Sequence, residues 1–106
     1  MVSFEAFKAL DIRIAKVLTC EEHPDADRLY VLTIDTGGET KTIVAGVRLH
    51  YSKEDLIGKK IVVVDNLEPA TIRGVESRGM LLAARDGEKV VILCPEKDAA
   101  VGSRVS

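Results

Sequence analysis

Residues Arg28 to Ala45 read RLYVLTIDTGGETKTIVA, two runs of strand-forming residues separated by a glycine pair. In the first run Tyr30, Leu32 and Ile34 share one face while Leu29, Val31 and Thr33 share the other, the period of two that a pleated strand imposes. Gly37 and Gly38 supply the backbone freedom for a tight reversal, so the chain returns as a second strand over Thr40 to Ala45. Both arms are apolar enough to be covered on a face, which places this hairpin inside a β-built core.

Upstream, Ile12, Ile14, Val17 and Leu18 mark a strand from Asp11 to about Cys20, and the break in alternation after Ile14 predicts a bulge there. The polar stretch EEHPDAD, Glu21 to Asp27, is a turn: Pro24 fixes one φ angle and the aspartates bond their own following backbone. Downstream, Ser52 and Asp55 form a capping box that opens a single helical turn closed by Gly58. Lys59 to Asp65 is a strand whose Ile61 to Val64 run is apolar on both faces, as required of a segment with a core on one side and further chain on the other. Met80 to Ala84 and Lys89 to Leu93 are a strand pair around Asp86-Gly87. Ser3 caps a short helix through Leu10, with Phe4, Phe7 and Leu10 on one face as an amphipathic lid.

Five main strands without a strand-helix-strand rhythm predict a mainly β fold. The expected form is a five-stranded Greek-key OB-fold barrel with a short helix between strands 3 and 4 and a short N-terminal helix. A sandwich is the alternative. Residues 1–106 are one domain, with a helical turn at 3–10, the barrel at 11–95 and a tail at 96–106 whose Val101 and Val105 have the character to dock. Valine, isoleucine and threonine fill 27 of 106 positions, consistent with that β inventory. There is no glutamine and one asparagine, Asn66, beside 32 charged residues, a composition that points to a thermophilic source.

No apolar run reaches the ~20 residues of a bilayer span, and Met1 to Leu10 lacks the pattern of a signal peptide; a cytoplasmic protein with no membrane partner and reduced thiols is expected. Cys20 and His23 have the spacing of two zinc ligands, but Cys94 and His50 would have to complete the set from distant turns. His23, Asp25 and Asp27 suit acid–base or weak cation chemistry by type, but turn geometry explains them better. No nucleophile elbow, phosphate loop, dinucleotide fingerprint or His-Glu-x-x-His pair is present, so no metal, no cofactor and no catalysis are expected.

The net charge is −2, which excludes a protein that coats nucleic acid through a general positive field; any such function needs its cations gathered on one face. The segment Thr71 to Arg85, TIRGVESRGMLLAAR, sets Arg73, Arg78 and Arg85 against Glu76, and Gly74 and Gly79 let its backbone turn tightly. An ordinary loop entering a strand has the same composition. Arg28, Lys41, Arg48, Lys59 and Lys60 are further cations, with carboxylates concentrated in the Glu21 to Asp27 turn. Tyr30 and Tyr51 are the only rings with the character to stack on a base, which disfavours a general single-strand binder and favours reading a folded RNA by shape and backbone.

Four blocks in order, His23 to Val31, Ile43 to Gly46, Asn66-Leu67 with Pro69, and Arg73 to Met80, resemble the tRNA-binding domain family across essentially the whole chain. Within that family YSKEDLIGKK (51–60) and NLEPA (66–70) look most like the C-terminal appendix of methionyl-tRNA synthetases; free-standing tRNA-binding proteins are the other close type. The resemblance implies a non-catalytic barrel that grips tRNA by its overall shape, often as a homodimer, and in the appendix type raises the affinity of a synthetase catalytic body for tRNA. It carries binding positions onto Arg28, Ser77 and Met80, while Leu49 replaces an asparagine of many free-standing members. With the cations above, the candidate tRNA-binding set is Arg28, Lys41, Arg48, Lys59, Lys60, Asn66, Arg73, Ser77, Arg78 and Met80. A protein-interaction module, with RNA incidental, is the competing class. The apolar turn (Phe4, Phe7, Leu10) and tail (Val101, Val105) are the candidate dimer surface.

Overall fold

The computed structural model describes Met1 to Ser106. In chain order the elements are α1 (Phe4–Lys8), β1 (Ile12–Glu22), β2 (Tyr30–Asp35), β3 (Thr40–Ala45), α2 (Lys53–Leu56), β4 (Lys60–Val64), β5 (Ala70–Ile72), β6 (Val75–Ser77), β7 (Met80–Leu81), β8 (Ala83–Asp86), β9 (Lys89–Ile92) and β10 (Arg104–Val105). The sequence hairpin forms with Tyr30 opposite Ala45 and Asp35 opposite Thr40. Its turn is an Asp35 carboxylate accepting from the Gly37 N–H at 2.8 Å, with Gly37 at φ +97°, a region that favours glycine.

The main sheet runs β3-β2-β1-β4-β7, all antiparallel, with β10 beside β1. The strip before β7 bends back to β3: Arg78 N–H donates to Thr42 O at 2.8 Å, and Val44 N–H donates to Ser77 Oγ at 3.0 Å. The result is a nearly closed barrel of five antiparallel strands, filled by Val17, Leu32, Ile34, Ile43, Val47, Ile61 and Val63, each at most 2% exposed. The capping box at Ser52 and Asp55 forms as read, and α2 places Leu56 at 0% exposure in the same core.

Three local expectations change. The bulge lies at Leu18, between the Val17 and Thr19 registers, rather than after Ile14. From Ile12 to Lys16, β1 pairs regularly with β4; Ile12 and Ile14 are buried on the face opposite Ala15, so two-sided burial, not a bulge, broke the alternation. The fifth strand is broken. At Leu82 the partner of β4 changes: Val62 accepts from Leu82 N–H but donates to Leu93 O, and β8-β9 leaves as a separate hairpin. Finally, the α1 face is not buried: Phe4 is 71% exposed, and Phe7 and Leu10 are also open.

The 96–106 segment ends as a strand. Gly102 N–H donates to Ile14 O at 2.7 Å and Ile14 N–H to Ser103 O at 2.9 Å, so the chain end completes the edge of β1 that β2 does not reach. This requires Gly102 against Gly37: a Cβ on Gly37 would sit 2.6 Å from Gly102 Cα. Gly37→Ala therefore combines a backbone clash with a positive φ, and is expected to lower unfolding free energy by about 2 kcal/mol, read from the urea midpoint at unchanged m-value.

Candidate nucleic-acid interface

At one end of the barrel the β1-β2 loop and the β5-β6 hairpin are tied together through His23. Its ring is buried; Nδ1 accepts from the Asp25 N–H at 3.0 Å, so the other nitrogen carries the proton and Nε2 donates to Ile72 O at 3.0 Å. Arg73, at φ +51°, donates from its guanidinium to Asp25 O at 2.8 Å, a second tie between the same segments. Arg48 closes the loop from the β3 side, donating to Ala26 O at 3.2 Å and pairing with Glu22. The polar, proline-containing loop that carries Arg28 is thus held from two sides, His23 donating out to Ile72 O while the loop's Asp25 and Ala26 carbonyls accept from Arg73 and Arg48.

The sequence candidates divide on this frame. Ser77 is 3% exposed; its hydroxyl accepts from Val44 N–H and donates to Gly79 O at 3.1 Å, so it anchors the β6-β7 strip and points away from any ligand. Lys41 is buried with its ammonium 2.8 Å from both Asp65 O and Asp65 Oδ1; the backbone oxygen takes the hydrogen bond and the contact to Oδ1 is ionic. Lys60 bonds Asp98 and Ala99 O, each at 2.7 Å, holding that carboxyl below its usual range and fastening the chain end. Asn66 accepts from Asp11 N–H and donates to Ala9 O, both at 2.8 Å, latching α1 to the barrel. Arg48 is spent on Glu22. These five serve the scaffold first, each bonded to groups of the chain itself.

Arg28, Arg73, Arg78, Lys59 and Met80 keep accessible surface. Arg28 has no ion pair; Arg73 bonds only a backbone carbonyl; Arg78 reaches Glu39 at 3.9 Å, a contact weak for an exposed pair. Lys59 stands 5.5 Å above the Tyr51 ring. Met80 is half-buried against the core. Sequence reasoning treated Arg85 as one cation of its segment and passed over its role: the β8-β9 hairpin brings it to a groove of about 290 Å³ that Arg28 also lines, together with His50 and Leu49. No carboxylate lines that groove. Asp25 and Asp27 lie on the β1-β2 loop and Glu76 on β6, outside the groove lining.

Neither tyrosine is a free stacking platform. Tyr30 is buried and donates to Tyr51 O at 2.8 Å, and Tyr51 accepts from Ile92 N–H at 3.0 Å. Burial pushes the Tyr30 phenol up, and it pushes the Cys20 thiol up to about 11, so both groups move away from neutral-pH chemistry. Cys20 is buried and Cys94 exposed, both as free thiols. Cys20 and His23 are therefore core and scaffold groups in this fold.

Residues 12–104 match the family model described as "Putative tRNA binding domain". The chain belongs to this family. The tRNA-binding domain is 52% identical over 104 residues to the methionine–tRNA ligase of Pyrococcus furiosus and 46% identical over 105 residues to that of Thermotoga maritima. Those alignments cover 98% and 99% of this chain but 14% and 17% of the enzymes, so the domain spans about one-seventh of the curated relatives it matches. Among solved structures, a MetRS related protein from Pyrococcus horikoshii superposes with TM-score 0.93 at 33% identity, covering 100% of this chain and 98% of that one. The chaperone CsaA from Bacillus anthracis superposes with TM-score 0.90 at 35% identity, covering 100% and 99%.

Ser77 gives a test of scaffold against contact. Ser77→Ala leaves the Val44 N–H unpaired in the interior and is expected to cost about 1–3 kcal/mol in chemical denaturation. The salt dependence of RNA binding, measured well below the unfolding midpoint, stays at the wild-type slope because no phosphate contact is removed.

Proposed function

We propose that this domain binds tRNA without catalysing a reaction, selecting it by overall shape, and that it does so as the C-terminal domain of a methionyl-tRNA synthetase or a free-standing relative. In that setting it raises the tRNA affinity of a cytoplasmic synthetase whose catalytic body reads tRNA identity. The observation that supports this most is local: in a chain of net charge −2, Arg28 and Arg85 meet in a groove with no carboxylate wall, and Arg73 is tied to the loop that carries Arg28. Affinity for phosphate depends on where cations stand, not on the overall charge. With both tyrosines engaged internally, backbone contacts and shape carry most of the recognition. Arg28, Arg73, Arg78, Arg85 and Lys59 are the contacting cations in this reading, and Met80 supplies an adaptable apolar contact. Ser77, Lys41, Arg48, Lys60 and Asn66 hold those groups in place.

The test is a filter-binding series with unfractionated tRNA and a duplex DNA control across salt concentrations. tRNA affinity falls steeply with salt, and Arg28→Gln reduces the log–log slope by about one while leaving the melting temperature unchanged. Salt-insensitive tRNA binding, or equal affinity for the duplex DNA, refutes the reading.

The same proposal includes a homodimer. Phe4, Phe7, Leu10 and Val105 line a groove of about 270 Å³ between α1 and β10, and α1 buries none of its own residues within the chain. A helix that short is not stable by propensity, so its open apolar face is best satisfied by a second copy, which also doubles the tRNA-binding surface. Sedimentation equilibrium at micromolar protein is expected to give twice the 11.5 kDa chain mass, and Phe4→Asp with Phe7→Asp to give the single mass.

A further inference from the structure

The groove shared by Arg28 and Arg85 has features that phosphate binding alone does not explain. Leu49 stands at its rim with 66% of its surface in water and is not part of the core. Leu29 and Val90 supply further apolar wall, and Val90 itself rests on the core, so that wall is firm. The floor is Gly46. It is exposed, it is not at positive φ, and a Cβ there would meet only Leu29 Cδ2 at 3.8 Å, an ordinary contact. Glycine is thus not demanded by the backbone, and its absent side chain keeps the groove open.

We propose that this groove holds one unstacked nucleotide of the bound RNA, its base against the aliphatic wall of Leu29, Leu49 and Val90 and its phosphate between the Arg28 and Arg85 guanidiniums. The inference rests on the RNA-binding reading and specifies which part of an RNA the site takes. A regular duplex presents phosphates and sugar hydroxyls at its surface and keeps base faces stacked, so it offers nothing to an apolar wall. An unpaired nucleotide offers a flat apolar face and a phosphate together, the combination that this wall and two carboxylate-free guanidiniums complement. The groove volume, about 290 Å³, lies at the lower end of small-ligand sites, of order 300 Å³, which fits a single unit rather than a run of bases. His50, exposed on the same rim, adds a ring nitrogen within the groove for a base edge or ribose hydroxyl.

The experiment follows backbone amide resonances of the full chain during titration with a single-stranded RNA pentanucleotide and, separately, a blunt RNA duplex, with intact tRNA affinity measured in parallel. The single strand is expected to shift the amides of Leu29, Gly46, Leu49, His50 and Arg85, and the duplex to leave them in place. Gly46→Leu, which fills the groove without altering charge, is expected to weaken pentanucleotide binding about tenfold. Leu49→Asp, at an exposed position that does not threaten folding, gives the same loss. Lys16→Gln, on β1 opposite Asp35 at the far end of β2, removes one cation and leaves the groove shifts intact. Groove amides that ignore the pentanucleotide while tRNA still binds overturn the groove assignment and spare the tRNA reading. Equal shifts with the duplex overturn it as well. Groove binding of the pentanucleotide without binding of tRNA upholds the pocket and refutes the tRNA function.

Discussion

The structure depends on one strand having two partners on the same edge. β1 pairs along one side with β4 over Ile12 to Lys16, and along the other with β2 from Lys16 onward. The edge left free over Ile12 and Arg13 is taken by β10, from the far end of the chain. Unpaired backbone groups at a half-buried edge cost as much as a lost hydrogen bond, so the chain end is drawn onto β1 and the barrel acquires its final strand there. The offset at Leu18, inside the β1-β2 ladder, adds the twist that lets five short strands curve toward closure.

That closure positions the candidate site. Once β7 sits on β4, the preceding strip falls against β3, where Ser77 and the Arg78 N–H pair with it. The β5-β6 hairpin is then delivered over the β1-β2 loop, and His23 and Arg73 bond across the join. Arg28 and Arg73 remain exposed with no carboxylate partner, and Arg78 with only a 3.9 Å contact to Glu39. Lys41 with Asp65 and Lys60 with Asp98 have become structural. A domain of slight negative charge can still hold two arginines in a groove that no carboxylate lines, because what acts on a phosphate is where the charges stand and not their sum.

The two exposed apolar features lie at separate places and ask for different occupants. The groove of Phe4, Phe7, Leu10 and Val105 carries two phenyl rings, with Lys8 and Arg104 also in its wall, and suits another protein surface, while the Leu49 groove sets aliphatic side chains beside two arginines and suits a nucleotide. A barrel of this size fills its interior with side chains, here Leu32, Ile43, Ile61 and Val63, and leaves no room for a ligand inside.

The sequence alone determined the β class, the Gly37-Gly38 hairpin, the capping box before Leu56 and the family, because each is written in local terms: a period of two, a turn residue, a cap three residues from its partner, or ordered blocks of residues. It did not decide which charged residues are free. Lys41 and Arg28 look alike as letters, yet one lies against Asp65, 24 residues away, and the other meets no carboxylate. Nor did it place Arg85 beside Arg28, locate the bulge at Leu18, or show Ser77 turned inward, since each follows from pairing between segments far apart in the chain. Periodicity reports a residue's face on its own element. Only the closed barrel sets which other element that face meets.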